Sequence, residues 1–134
     1  MLTTEIRNSL KQALTELRIA EHELNRPHED VVTLSVCYSA RHSMNTLLRL
    51  FLLSNNIDHN EEKSLSELHA QCVKIDKEFS SIDISKINCN ELNRAERDGK
   101  YCMTIDKVHE CVILANRFKT IILNKLKINE SEMN

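Results

Sequence analysis

Three polar side chains of types that bind ligands or transfer protons recur along an apolar segment. This segment, VCYSARHSMNTLLRLFLLSNN, spans residues 36–56. Tyr38, His42 and Arg49 are spaced, with Asn45 between them, at steps of four, three and four residues, so an α-helix aligns them on one ridge. We call Tyr38, His42, Asn45 and Arg49 the polar ridge. Its phenol, imidazole and guanidinium can contact a ligand, or they can pack on a neighbouring helix with their polar tips satisfied. The sequence leaves both interpretations open.

Arg41 raises a different question, because at 100° per residue it falls within the apolar face of the same helix. An arginine can lay its aliphatic stem on a core and extend its guanidinium to a carboxylate. Glu16 and Glu23 of the preceding segment are suitable partners. We favour this paired, partly buried arginine over a ligand contact.

The five cysteines are odd in number and never closer than nine residues apart, so the sequence shows neither a disulfide framework nor a CxxC motif for zinc or redox chemistry. Cys72 and Cys111 fall on apolar helical faces, where a free cysteine behaves as a small hydrophobe. No histidine pair shares a face with a carboxylate at metal-ligand spacing. The sequence therefore predicts reduced thiols, no metal site and no cofactor.

Composition favours an all-α protein. One glycine, one proline and five aromatic residues among 134 leave little material for tight turns and sheets. The net charge of −2 provides no global basic field for nucleic acid or anionic lipid. Glu5 stands where a secretory signal would be apolar, and Arg49 interrupts the longest apolar run, so we expect a cytoplasmic protein without a membrane segment.

Local signals mark the helices that would position these residues. Thr3 or Thr4 can cap a first amphipathic helix, and Ser64 with Glu67 forms a capping-box pattern. The last long helix should begin near Thr104. We expect one domain over residues 1–126, with a weakly specified helix before Gly99, and a frayed tail over residues 127–134.

Taken in order, four segments resemble the HEPN superfamily (higher eukaryotes and prokaryotes nucleotide-binding domain) over roughly residues 5–126. They are LKQALTELRIAEHEL, LSVCYSARHSMNTLLRLFLL, SLSELHAQC and IDKVHECVILANRFKTII. The resemblance implies an up-and-down bundle of four to five helices, usually paired as a homodimer through the long helices. It also implies either a metal-independent RNase, often a toxin of a toxin–antitoxin pair, or a non-catalytic partner of a nucleotidyltransferase.

The RNase motif of that superfamily is an arginine followed after four to six residues by a histidine, near the start of the last long helix. Arg94 and Arg97 are both too far from His109 to fit it. Elsewhere, Arg41 directly precedes His42. The motif is absent, although helix crossing can still bring Arg94 or Arg97 towards His42.

We therefore predict no catalytic residue and a non-catalytic HEPN-like interaction module. Its candidate ligand-binding residues are Tyr38, His42, Arg49, Arg94 and Arg97. The expected partners are a second copy of the chain in a homodimer, a nucleotide or RNA, or a nucleotidyltransferase-type protein. Two alternatives stay open: an RNase toxin with a displaced arginine–histidine pair, and a bundle with a purely structural role.

Overall fold

The protein is an all-α helical bundle, as its composition predicts. A computed structural model describes residues 3–57, 63–87, 89 and 101–133. Its α-helices are α1 (Thr4–Leu24), α2 (Thr33–Ser54), α3 (Leu65–Ile75) and α4 (Ile105–Leu126). Short 3₁₀ helices occupy His28–Asp30, Lys77–Ser81, Ile84–Lys86 and Glu130–Met133.

The helix starts confirm the capping signals of the sequence. Thr3 accepts a hydrogen bond from the Ile6 N–H at the start of α1, and Thr104 accepts one from the Lys107 N–H at the start of α4. At α3, the Ser64 hydroxyl accepts from the Glu67 N–H while the Glu67 carboxylate accepts from the Ser64 N–H. Each contact satisfies backbone donors that have no partner inside the helix.

α2 is the central helix, packed against α1, α3 and α4. α1 runs antiparallel to it, since Ser43 donates to the Ala13 carbonyl near mid-helix and Glu23, at the end of α1, accepts from the Val32 N–H before α2. The apolar circumference of α2 is the feature that would suggest a homodimer. Within one chain, α1, α3 and α4 cover most of that surface. The homodimer therefore stays a prediction, and the apolar surface of α2 supports it less strongly.

The C-terminal residues correct the expectation of a frayed tail. Glu130–Met133 form a 3₁₀ helix, Met133 is buried against the core, and Glu130 pairs with Lys119 of α4 at 3.1 Å. A buried methionine and an ion pair give this segment tertiary contacts that local sequence patterns do not register. The weakly specified helix before Gly99 falls mainly on residues outside the described ranges, apart from the 3₁₀ helix Ile84–Lys86.

No helix in the described part of the chain combines the length and the apolar character that crossing a bilayer requires.

Candidate functional site

The polar ridge lies largely against the rest of the bundle. His42 Nδ1 contacts the Glu16 carboxylate of α1, and both side chains are mostly buried. Asn45 is fully buried and donates to the Arg41 carbonyl at 3.2 Å. Tyr38 stacks on His42 with ring centroids 5.8 Å apart. The structure leaves partial exposure to three of the ridge residues, Tyr38, His42 and Arg49. The contact with Glu16 supports the helix-packing interpretation for His42, whereas Tyr38 lines an open pocket.

Arg41 is fully buried, which confirms its predicted place on the interior face of α2. The expected carboxylates are engaged elsewhere: Glu16 contacts His42, and Glu23 binds Arg26 and the Val32 N–H. The Arg41 guanidinium instead lies 5.4 Å from the Tyr38 ring centroid and 5.6 Å from that of Tyr101. Two tyrosine rings therefore make cation–π contacts with this buried guanidinium, and pairing with a carboxylate other than Glu16 or Glu23 stays a prediction.

The displaced arginine–histidine pair stays a prediction, because Arg94 and Arg97 lie outside the described residues. His109 and Arg117 line one open groove on α4 but are two helical turns apart, about 12 Å along the axis, and Arg117 donates to the Ser81 carbonyl at 2.9 Å. Such a separation is too large for joint action on one phosphate.

A pocket of about 390 Å³ opens beside the start of α2. Val32, Leu34, Ser35, Tyr38 and Tyr101 line it. Val32 is 52% exposed and Leu34 46%, large fractions for aliphatic side chains. The hydrogen bond from the Val32 N–H lowers the pKa of the Glu23 carboxyl and ties the end of α1 to this rim. The pocket is thus apolar at its mouth and aromatic at its wall.

Four cysteines meet in the core of the bundle. Their Sγ atoms all lie within 4.8 Å of one another and all four side chains are buried. Contacts among them include Cys111 Sγ to Cys102 Sγ at 3.1 Å and Cys102 Sγ to Cys89 Sγ at 4.0 Å, while the Cys102 N–H donates to Cys37 Sγ at 3.3 Å. We call Cys37, Cys89, Cys102 and Cys111 the cysteine cluster. Tyr38 and Tyr101 each adjoin one of its members in sequence, so the cluster and the pocket share their scaffold.

The thiols of the cysteine cluster shift one another's protonation. Side-chain hydrogen bonds with Cys102 raise the pKa of Cys89 and of Cys111 above the ordinary thiol range. The Cys102 side chain also acts to raise the pKa of Cys37, but hydrogen bonds from the Cys111 and Cys89 thiols reverse this and the pKa of Cys37 is lowered. The close thiols therefore oppose the build-up of several negative charges in the cluster unless a cation neutralises them.

Sequence reasoning missed this cluster. Cys37 comes from α2, Cys89 from beyond the 3₁₀ helix Ile84–Lys86, Cys102 from the approach to α4, and Cys111 from α4 itself. No two of these cysteines have the short sequence spacing of a zinc-binding motif. The position of Cys111 on an apolar helical face predicted only a small hydrophobic side chain. The available signal was the number of cysteines in a short chain, which says nothing about which of them meet.

Comparison with models of known protein families, with curated proteins and with solved structures found no match for the chain. Membership of the HEPN superfamily accordingly stays a prediction.

Proposed function

We propose that the protein is a non-catalytic binding module, and that its binding surface is the pocket at the start of α2. One observation carries the proposal: both tyrosines of the chain wall a single pocket whose rim holds two exposed aliphatic residues, Val32 and Leu34. Exposed apolar side chains beside a preformed concavity are typical of binding sites. Tyrosine is also enriched at protein interfaces.

A protein partner that inserts an apolar side chain fits this pocket better than a nucleotide does. A phosphate needs an accessible cation, yet the Arg41 guanidinium beside the tyrosine rings is fully buried. The carboxylate tied to the pocket rim, Glu23, would repel a phosphate. Nucleotide or RNA binding, and a nucleotidyltransferase as the specific partner, therefore rank below an apolar protein contact in this proposal.

The side chains around the pocket support a non-catalytic role. Its described lining consists of aliphatic residues, one serine and two tyrosines, so it includes no group with an ordinary pKa near 7 for general acid–base chemistry. His42 adjoins Tyr38 but contacts Glu16. Purified protein should leave single-stranded and structured RNA intact, with or without EDTA. Cleavage that disappears in a His42→Ala or His109→Ala variant would establish the RNase alternative instead.

Binding can be read directly because the chain has two tyrosines and no tryptophan. With ¹³C-labelled tyrosine, both ring signals in an NMR spectrum report on the pocket, and a Tyr38→Phe variant assigns them. N-acetyl-leucinamide and N-acetyl-tryptophanamide serve as probes that mimic a partner's side chain, and AMP and GMP as nucleotide probes. We expect the side-chain mimics to shift both ring signals at millimolar concentration and the nucleotides to leave them in place.

Val32 and Ile19 provide a matched pair of controls, because each is 52% exposed and only Val32 lines the pocket. Val32→Ser should weaken the response to N-acetyl-leucinamide, and Ile19→Ser should leave it unchanged. Equal responses in the two variants, or larger shifts with AMP than with the side-chain mimics, would contradict the proposal.

A further inference from the structure

We infer that Cys37, Cys89, Cys102 and Cys111 form a tetrahedral thiolate site for a single divalent metal ion of the zinc class. The inference does not depend on the proposed binding function, because it rests on the sulphur geometry alone and not on what occupies the pocket.

The size of the cysteine cluster fits one ion. Zn–S bonds of about 2.3 Å place the four sulphurs of a tetrahedral site about 3.8 Å apart. The Sγ contacts of 3.1 Å and 4.0 Å lie on either side of that value, and the widest separation is under 4.8 Å. An iron–sulphur cluster interposes several iron and sulphide atoms between its cysteines and so needs a wider cage.

Simple hydrophobic packing accounts poorly for the same arrangement. A buried cysteine that acts as a small hydrophobe packs among aliphatic and aromatic neighbours, as Cys72 does on α3, where its thiol contacts the Leu48 carbonyl at 3.8 Å. In the cluster, the sulphurs contact one another instead. No disulfide joins these thiols, which come from four separate segments, and a shared ion accounts for their convergence.

The surroundings supply two features that a thiolate site requires. Four thiolates around a divalent ion carry a net charge of −2, which is costly to bury without compensation. Arg41 is fully buried and follows Cys37 by one turn of α2, and the Cys102 N–H donates to the Cys37 sulphur at 3.3 Å. Hydrogen bonds and charges of this kind around a metal site orient and stabilise its ligands.

The donor set also decides the role of the ion. Four cysteine ligands complete the tetrahedral shell and leave no position for water or substrate, so the site is structural. It ties α2, the segment at Cys89 and the start of α4 into one unit. Binding releases the protons of those cysteines that are still thiols, and it is therefore favoured by rising pH.

The test is a titration of the reduced full-length chain with Co²⁺ under anaerobic conditions, followed by displacement with Zn²⁺. We expect one Co²⁺ per chain, with the strong visible d–d bands of tetrahedral coordination and thiolate-to-cobalt charge-transfer bands, all of which disappear when one equivalent of Zn²⁺ is added. Metal analysis of protein purified without chelator should likewise give one zinc per chain.

Cys72 supplies the matched control, because it is the one cysteine outside the cluster and is equally buried. Cys72→Ala should keep the full cobalt spectrum. Cys89→Ser and Cys111→Ala should each weaken binding by more than about 100-fold, since changes to the outer shell alone cost roughly 10–100-fold. Cys89→Ser alters a residue outside the α-helices and is the variant better placed to stay folded.

Three results would overturn the inference. The first is the absence of thiolate charge-transfer bands when wild-type protein is titrated with Co²⁺, a measurement that needs no variant. The second is an unchanged spectrum in both Cys89→Ser and Cys111→Ala, and the third is acid-labile sulphide with iron in protein purified without added metal.

Discussion

The two halves of α2 each contribute fully buried side chains to the bundle but pack against different chemistry. Around Cys37 and Arg41, the neighbours are the other sulphurs of the cysteine cluster and two tyrosine rings. Around Leu48 and Phe51, the neighbours are apolar, and Phe51, Phe79 and Phe118 form a chain of ring contacts with centroids 4.8 and 6.3 Å apart. One continuous helix therefore joins a core region of aliphatic and aromatic side chains to a core region of thiols and a guanidinium.

The comparison shows that burial alone does not reveal what holds a region together. The aromatic half is stabilised by dispersion and by removal of apolar area from water, which any well-packed core supplies. The sulphur half buries a cation and four ionisable thiols, so its stability should depend on a bound ion and on pH. Stability measurements on variants should distinguish the sulphur half of α2 from its aromatic half.

Removal of metal should destabilise the protein at least as much as Leu48→Ala, a truncation in the aromatic half. A site saturated at about 1,000 times its Kd contributes roughly 4 kcal/mol to the free energy of unfolding. Urea denaturation of zinc-loaded protein with and without a thiol-compatible chelator measures this contribution. If the chelator left the midpoint unchanged, the cysteine cluster would be an ordinary part of the core.

Leu48→Ala should cost about 2–4 kcal/mol, because Leu48 is fully buried and the substitution leaves a cavity among large side chains. The loss should be the same in metal-loaded and metal-free protein. Ile113→Ala, at a residue 41% exposed on α4, is the control and should change stability by less than about 0.5 kcal/mol. A Leu48→Ala effect that vanished without metal would show that the halves are not independent.

Arg41→Ala should cost about 1–3 kcal/mol, since it removes a fully buried cation that contacts two tyrosine rings. Arg117→Ala is the control, because that exposed guanidinium makes one hydrogen bond to the Ser81 carbonyl. Chemical denaturation compares the two. Equal, small losses would place Arg41 among surface arginines and contradict its burial.

Cys72 should give the smallest effect, and one that depends on pH. Burial raises the pKa of Cys72 to about 12, so its native thiol stays protonated while the unfolded chain ionises. The stability that this difference contributes is fully present below pH 9, the ordinary value, and is lost as pH rises towards 12. By pH 10, wild type should have lost about 1 kcal/mol relative to Cys72→Ala. Parallel pH profiles for the two proteins would contradict the raised pKa.

Local rules account for most of the helical framework. The caps at Thr3, Ser64 and Thr104 act within three residues, and the apolar periodicity of α1 and α4 follows from 3.6 residues per turn. The same periodicity places Arg41 inside the bundle. These signals are readable because each interaction joins residues close in sequence. The C-terminal 3₁₀ helix escaped prediction because its burial depends on contacts with distant residues such as Arg7.

The sequence is enough to predict the all-α class, the starts of α1, α3 and α4, and the buried face of α2, because short-range hydrogen bonds and helical periodicity fix them. The tertiary structure alone shows that four cysteines from separate segments converge, that both tyrosines wall one pocket, and that both tyrosine rings contact Arg41. Contacts such as Cys37 with Cys102 and Arg41 with Tyr101 join residues far apart in sequence, and their meeting depends on how the helices cross in the folded bundle. Spacing along the sequence carries no record of that crossing.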